Sequence, residues 1–468
     1  MQTVTVRIKM NKEDIIKGIY AFAFVGLHLG IRFEFGTGQP KALYSEIYET
    51  VDNSLIFIPL DLALIKGKVA PHWNHVDDNL VLSSESGARS SLYHKENNKV
   101  IFDFDIIGAI FFLLSRSEEF YAQSMDHHGR FPHKDSILYK GGNIRTPIID
   151  HYLEVLKDAF GDAGIKSDDR RYPTAILSHD VDQPMRSIKG SIKLLFVSEN
   201  PLASRLKGLR DSVVSRIKGR PNPFWNFDLY ADAENQHGFK SVFYFTNPFK
   251  RTELDPKYNL AKENFKKVIR QLIEDGFEVG LHGSYNALSG EDDVKVEKRS
   301  FEEKVGFKIG GYRGHYLRLN VKDGFSRLNN AGFVYDSTMG YSSAIGYRCG
   351  TGLPFFTFDT NGNRVLPLIE IPFAVMDGPL FENWEYENIR GMIEDMISET
   401  ISIQGTICVL WHLRTAYSID YPEWFRVYQI VLELLAQHKV RVVTAELLAN
   451  ELTQRAKDWG YYEKLFNS

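Results

Sequence analysis

The sequence predicts an α/β fold: a distorted (β/α) barrel of seven or eight strands preceded by a smaller α+β N-terminal domain. Three observations lead there. The chain has 468 residues, 43% of them hydrophobic, enough to build two cores. Beyond about Arg170, short β-rich runs alternate with helical patterns, as parallel βα units require. In that half the polar residues gather at or just past the expected C-terminal strand ends, where parallel barrels collect their reactive groups.

Taken in order, "TVTVRIKM" reads as a first strand, and a helix follows from about Glu13, opening at Asn11 or Lys12. Its apolar run "IYAFAFVGLHLGI" is short, contains His28 and follows Glu13, Asp14 and Lys17. That excludes a signal peptide or a membrane span. "SLIFIPLDL" reads as a strand, and "DIIGAIFFLLSRSEEFYAQSMD" and "PIIDHYLEVLKDAF" read as helices. The polar "GDAGIKSDDRR" then reads as a linker, dividing the chain into residues 1–170 and 171–468. Within 1–170, Arg116, Glu118, Glu119, Asp126 and Arg130 read either as a cleft lining or, more simply, as an ion-paired interface.

Eight β-rich runs follow: "TAILSHD", "SVFYFT", "FEVGLHG", "IGGYRGH", "FVYDST", "LIEIPF", "TICVLWH" and "VRVVTA". After the first lies an insertion, about residues 185–222. Between Met185 and Arg220 it carries nine Lys or Arg against two acids. That segment reads as a solvated helical excursion or as a surface for anionic glycan or lipid headgroups. The whole chain has a formal net charge of only -4, so nothing points to nucleic acid. Cys349 and Cys408 make neither a disulfide framework nor a zinc-binding CxxC pair. The expected location is the cytoplasm, with peripheral contact at the inner membrane as an extension of the basic segment.

In "SHDVD", Asp180 and Asp182 are two residues apart on an extended segment and so face one pocket. One can take a proton from water while the other binds a cation; helix capping is the plainer reading. His282 in "EVGLHG" and His412 in "CVLWH" each close an apolar strand, and Arg313, His315 and Tyr316 crowd the end of "GGYRGHY". Each is ambiguous alone. Their shared placement at strand ends, together with Asp336, is what suggests one site. Trp225, Tyr285, Tyr316, Tyr341 and Trp411 fit sugar stacking or ordinary packing equally well.

The succession Asp180 and Asp182, His282, Arg313 to Tyr316, Asp336 and Leu410-Trp411-His412 resembles the bacterial polysaccharide deacetylase family, over about residues 173 to 450. These are metal-dependent carbohydrate esterases that include chitooligosaccharide and peptidoglycan deacetylases. The resemblance implies a barrel, a divalent cation such as zinc, and removal of an acyl group, most simply acetyl, from an amino sugar in a glycan or lipid-linked glycan precursor. It assigns Asp180 as base, Asp182 and His282 as metal ligands, and Arg313 as the residue orienting the base. It also assigns the Tyr316 N–H as an oxyanion donor and His412 as acid, with Asp336 as its partner. Two positions depart from the pattern: Asn286 stands where a second metal histidine is expected, and His315 stands where the family has proline. His315 supplying the missing ligand would reconcile both. A metal-free amide hydrolase on the same barrel and a degenerate glycan-binding module are the alternatives. The N-terminal region more loosely resembles the uncharacterised domain that precedes some such modules, through "FFLLSRSEEF" and "DHHGRF".

Overall fold

A computed structural model describes residues 2–36, 39–48, 55–76, 79–85, 91–198, 200–218 and 221–466. Its N-terminal part contains β1 (Gln2–Lys9), β2 (Ile31–Phe35), β3 (Ala42–Ser45), β4 (Ile56–Pro59), β5 (His72–Val76), β6 (Asn79–Ser83), β7 (Tyr93–Glu96) and β8 (Lys99–Phe102). Six of these form a sheet in the order β2-β1-β3-β4-β8-β7, while β5 and β6 make a separate hairpin. Every pairing in the six-stranded sheet is parallel except that between β7 and β8.

This corrects the α+β expectation, because a parallel neighbour demands a crossover. The helix Ile15–Leu29 provides it between β1 and β2, and is buried almost all round from Tyr20 onward. Strands of four or five residues carry too little periodicity to reveal that arrangement from sequence. The helix also starts later than expected. The Asn11 side-chain oxygen accepts from the Asp14 N–H at 2.8 Å, so Asn11 closes a turn before the helix begins.

The larger sheet holds β9 (Thr174–Val181), β10 (Val242–Thr246), β11 (Glu278–Gly283), β12 (Gly311–Gly314), β13 (Tyr335–Asp336), β14 (Phe355–Asp359), β15 (Arg364–Glu370), β16 (Val375–Met376), β17 (Thr406–Leu410) and β18 (Arg441–Val442). The order is β14-β15-β13-β12-β11-β10-β9-β17-β16, with β18 added beside β9. All pairings are parallel apart from the β14–β15 hairpin, whose first strand is not among the eight expected runs.

The sheet has to curl. β15 lies beside β13 toward one edge and β16 beside β17 at the other, yet only residues 371–374 separate them in sequence. Five residue steps reach at most about 18 Å. Those four residues bond to both sides: Ile371 N–H donates to Asp336 O at 2.8 Å and Ala374 N–H donates to Cys408 O at 3.0 Å. Among the described residues no strand ladder spans the gap.

One hydrophobic core runs from Val4 to Leu465, across the expected boundary near residue 170. Tyr20 donates its hydroxyl to Phe356 O at 2.6 Å, and Tyr461 bridges the N-terminal sheet by donating to Ile31 O and accepting from Phe33 N–H, both at 2.8 Å. Among the described residues no helix is long and apolar enough to cross a membrane.

His28 sits in this shared core with Nε2 3.0 Å from Pro354 O. Burial, reinforced by Arg455 and Arg171, lowers its pKa to about 3. The unfolded chain therefore takes up a proton near pH 6.5 that the folded chain refuses, so stability falls as the pH drops from 6.5 toward 3. Between pH 7 and 5 this one group should cost about 2 kcal/mol. Denaturant titrations at both pH values should show His28→Gln escaping that loss; an equal drop in variant and parent would disprove it.

Candidate functional site

The site lies at the C-terminal ends of β9, β11, β12 and β17, and alternation along β9 selects its members. Ser178 and Asp180 face inward, and Asp182 follows them. His179 points the other way, where its ring nitrogens meet Glu234 Oε1 at 2.7 Å and Trp411 O at 2.9 Å.

Asp182 is the hub. Its Oδ1 lies 3.0 Å from His282 Nε2 and 3.4 Å from His315 Nε2, and its Oδ2 lies 3.4 Å from His412 Nε2 and 3.5 Å from Arg414 Nη1. Burial raises its pKa, but His315, His282 and His412 together hold the carboxyl well below its usual range. His282 is fixed on its far side by Nδ1, 3.0 Å from Arg313 O, and stands 3.8 Å from Asp180 Oδ2. Burial pulls its pKa down, while Asp180 and Asp182 outweigh that and raise it. Asp255, which the sequence did not single out, stands behind His315, 3.8 Å from Nδ1.

Asp182, His282 and His315 each present a ligand atom within 4.8 Å of the others. A tetrahedral zinc ion with bonds near 2.1 Å would place its ligands about 3.4 Å apart. The two Asp182–His separations of 3.0 and 3.4 Å match, and Asp182 Oδ1 has no hydrogen-bond donor geometry to satisfy it. The three residues therefore fit a cation with two imidazoles and one carboxylate. Asn286 does not join them: its Oδ1 accepts from Arg318 Nη1 at 3.2 Å.

Arg313 faces the other carboxylate, with Nη1 3.3 Å from Asp180 Oδ1 and 2.9 Å from Ser178 Oγ. Opposite, His412 Nδ1 is 2.7 Å from Asp377 Oδ1, and the His412 N–H donates to Asp377 Oδ2 at 2.8 Å. Burial lowers the imidazole pKa, but Asp377 overrides it and raises His412 to about 9.

The partner of His412 is thus Asp377, which corrects the expectation for Asp336. Asp336 is fully buried and in register with Glu370 of β15. Burial raises both carboxyls, Asp336 to about 6 and Glu370 well above its usual range; Asp336 adds to the rise of Glu370, whereas Glu370 favours the Asp336 anion. Asp336 Oδ2 and Glu370 Oε2 are buried and find no hydrogen-bond partner among the described residues. Asp377 could have been suspected from "IPFAVMDG", where an acid ends an apolar run, but β16 is only two residues long.

Tyr316 and Leu317 carry His315 round a tight corner with φ of 58° and 56°, a conformation that non-glycine residues adopt at a cost of about 1–3 kcal/mol each. The N-terminal part helps to hold it. Arg130 Nη1 donates to Tyr316 O at 3.1 Å while Asp126 grips the same guanidinium at 2.7 Å, and Arg318 Nε donates to His128 O at 2.7 Å. Further back, Arg116, Glu118, Glu119 and Arg348 form a buried ion network, with Glu119 Oε2 2.6 Å from Arg348 Nη2. Tyr285 and Tyr316 rings meet edge-on beside His128, whereas Trp411 is wholly buried and serves the core.

A curled parallel sheet with paired acids and histidines at its strand ends defines an α/β protein with a cluster that could hold a metal ion. Comparisons with known proteins give its relatives. The model of a family of unknown function (DUF7033) matches residues 8–163. No curated protein matches the sequence. Among solved structures, the chain is similar to a Mycobacterium smegmatis protein described as a polysaccharide deacetylase. The two are 16% identical with a TM-score of 0.41, over 62% of this chain and 92% of that one. It is also similar to a Pseudomonas aeruginosa protein described in the same way, 12% identical with a TM-score of 0.39, over 60% and 94% of the two chains. An allantoinase is 13% identical, with a TM-score of 0.37 over 60% and 93%.

Arg130→Ala should free the Tyr316 carbonyl and loosen the corner that presents His315. Zinc affinity measured by calorimetry is expected to fall by about tenfold, as for loss of an outer-shell contact, with unchanged circular dichroism. Parent-like affinity would mean that the larger sheet alone positions His315.

Proposed function

We propose that the protein is a metal-assisted N-deacetylase that removes an acyl group, most simply acetyl, from an amino sugar in a glycan or glycan precursor. The observation that carries this reading is the arrangement around Asp182. His282 and His315 stand at one of its oxygens, His412 with its own carboxylate at the other, and the Arg313-bound Asp180 alongside.

Asp182, His282 and His315 would hold the ion, which when bound supplies Lewis acidity toward the amide carbonyl and acidifies water. Asp180 takes the proton from the attacking water, oriented by Arg313. His412, with a pKa near 9, carries a proton at neutral pH and gives it from Nε2 to the departing amine, while Asp377 fixes the tautomer through Nδ1. The Tyr316 N–H is assigned to the developing oxyanion. The sugar substrate rests on the family resemblance together with the exposed rims of Tyr285 and Tyr316. His315 beside Asp182 and His282 favours the metal-assisted reading over the metal-free alternative. The pairing of a base and a fixed acid favours an enzyme over a binding module.

The experiment is to load the full chain with zinc and assay acetate release from chitooligosaccharides. Activity should vanish with chelator and return with zinc. Asp180→Asn should be inactive and still bind zinc. Asp377→Asn should lower kcat by about 10² to 10⁴ with KM little changed, because the imidazole loses its orienting carboxylate. Zinc binding without release of acetate from any N-acetylated sugar would reject the substrate assignment.

A further inference from the structure

The basic segment after β9 forms two packed helices, Ile188–Val197 and Leu202–Lys218. Glu199, Gly219 and Arg220 lie outside the described residues. The polarity of this hairpin is inverted. Its buried positions are Ser191, Gly208, Ser212 and Ser215, of which the first three meet the Arg186 guanidinium and Ser215 donates to Ser212 O. Arg186 Nη1 donates to Gly208 O at 2.6 Å and to Ser212 Oγ at 3.0 Å, and Nε donates to Asp420 Oδ2 at 2.6 Å. Its apolar side chains are turned out: Phe196 is 82% exposed, Ile217 77%, Val197 62% and Leu202 57%. Seven of the eighteen exposed large hydrophobics among the described residues fall between Met185 and Ile217, so this is a patch and not a scatter.

Between those apolar groups stand the exposed Lys189, Lys193, Lys207, Arg210, Arg216 and Lys218. The sole acid on the two helices, Asp211, accepts from Tyr417 OH at 2.9 Å. A hairpin made for water places its apolar side inward. A protein-binding face depletes lysine at its centre. Apolar groups interleaved with lysines along a short helix suit the boundary between anionic headgroups and acyl chains.

We propose that this hairpin docks the protein onto an anionic lipid bilayer, lying in the interface with Phe196, Val197, Leu202 and Leu206 inserted and the lysines on the headgroups. The hairpin is tied to the segment that follows the candidate site. Asp420, Ile419 and Tyr417, which the hairpin bonds, follow His412 and Arg414 by a few residues. The inference stands apart from the deacetylase reading and needs no turnover to be tested.

The test is co-sedimentation of the full chain with vesicles of pure phosphatidylcholine or with about one third phosphatidylglycerol, at about 0.1 M and 1 M salt. Binding to the anionic vesicles should exceed binding to neutral ones by about tenfold at low salt and collapse at high salt. Phe196→Ser with Leu202→Ser, and separately Lys189, Lys193 and Lys207→Gln, should each reduce binding by about tenfold or more without lowering the melting temperature. Equal binding to both vesicle types, or parent-like binding by both variants, would overturn the proposal. So would a parent dimer in sedimentation velocity that Phe196→Ser with Leu202→Ser dissociates, since a second copy would then be what covers the face.

Discussion

A single buried guanidinium organises the end of the sheet that carries the candidate site. Arg313 has no exposure, and burying a cation is expensive unless every donor finds an acceptor. Its Nε donates to Ser337 O at 2.9 Å, Nη2 to Ser337 Oγ at 2.8 Å and Nη1 to Ser178 Oγ at 2.9 Å, with Asp180 completing the set. The rings of Tyr244 and Phe373 lie 4.6 and 5.1 Å from its centre. These partners come from β9, β10, the residue after β13 and the segment that bridges the sheet's ends. Ser337 Oγ passes the bond on to Ile371 O at 2.8 Å. The curl of the sheet and the aim of Asp180 therefore share one cause, and Arg313 cannot be replaced by lysine, which offers one point charge in place of a planar fork.

The N-terminal part is joined to that end by polar groups as well as by the core. Burial disfavours charge on Glu119, yet Arg348 and Arg116 hold its pKa at about 2, so the three form a fixed ionic joint across the two halves of the sequence. From the same region, Asp126, His128 and Arg130 reach the corner at Tyr316. The DUF7033-matching segment thus does more than precede the sheet: its last turns before the helix Ile148–Asp162 form part of the wall of the candidate site.

The parts legible from sequence are those in which a long, fully buried strand ends in a charge. β9 and β11 are buried at every position, so their apolar runs and terminal Asp and His stand out against the alternation of a half-exposed strand. The inward direction of Asp180 and Asp182 follows from their spacing alone. What was not legible depended on contacts between short elements. β13 and β16 have two residues each, too few to show which acid faces His412. Asp336 ends a strand beside the site, but its register neighbour is Glu370, and burial raises the pKa of both carboxyls. The parallel pairing of the N-terminal sheet was hidden for the same reason.

Arg318 ties the segment that holds Asn286 to the corner that follows His315. An asparagine after β11 cannot offer zinc an imidazole, and here it does not turn toward the cluster at all. Arg318 lies over the Tyr285 ring, 3.9 Å from its centre, and bonds to Asn286 Oδ1, to Tyr285 O and to His128 O. Bringing the His315 imidazole over Asp182 requires the chain after β12 to turn sharply, and the positive φ angles at Tyr316 and Leu317 do so. Such strain persists only where the surroundings over-determine it. The restraints are the Arg130 bond to Tyr316 O and the Arg318 bond to His128 O, both made with the N-terminal part. His315 beside Asp182, Asn286 turned to Arg318 and a strained corner held by the N-terminal part are therefore mutually dependent, and the larger sheet without that part would lose these restraints on His315.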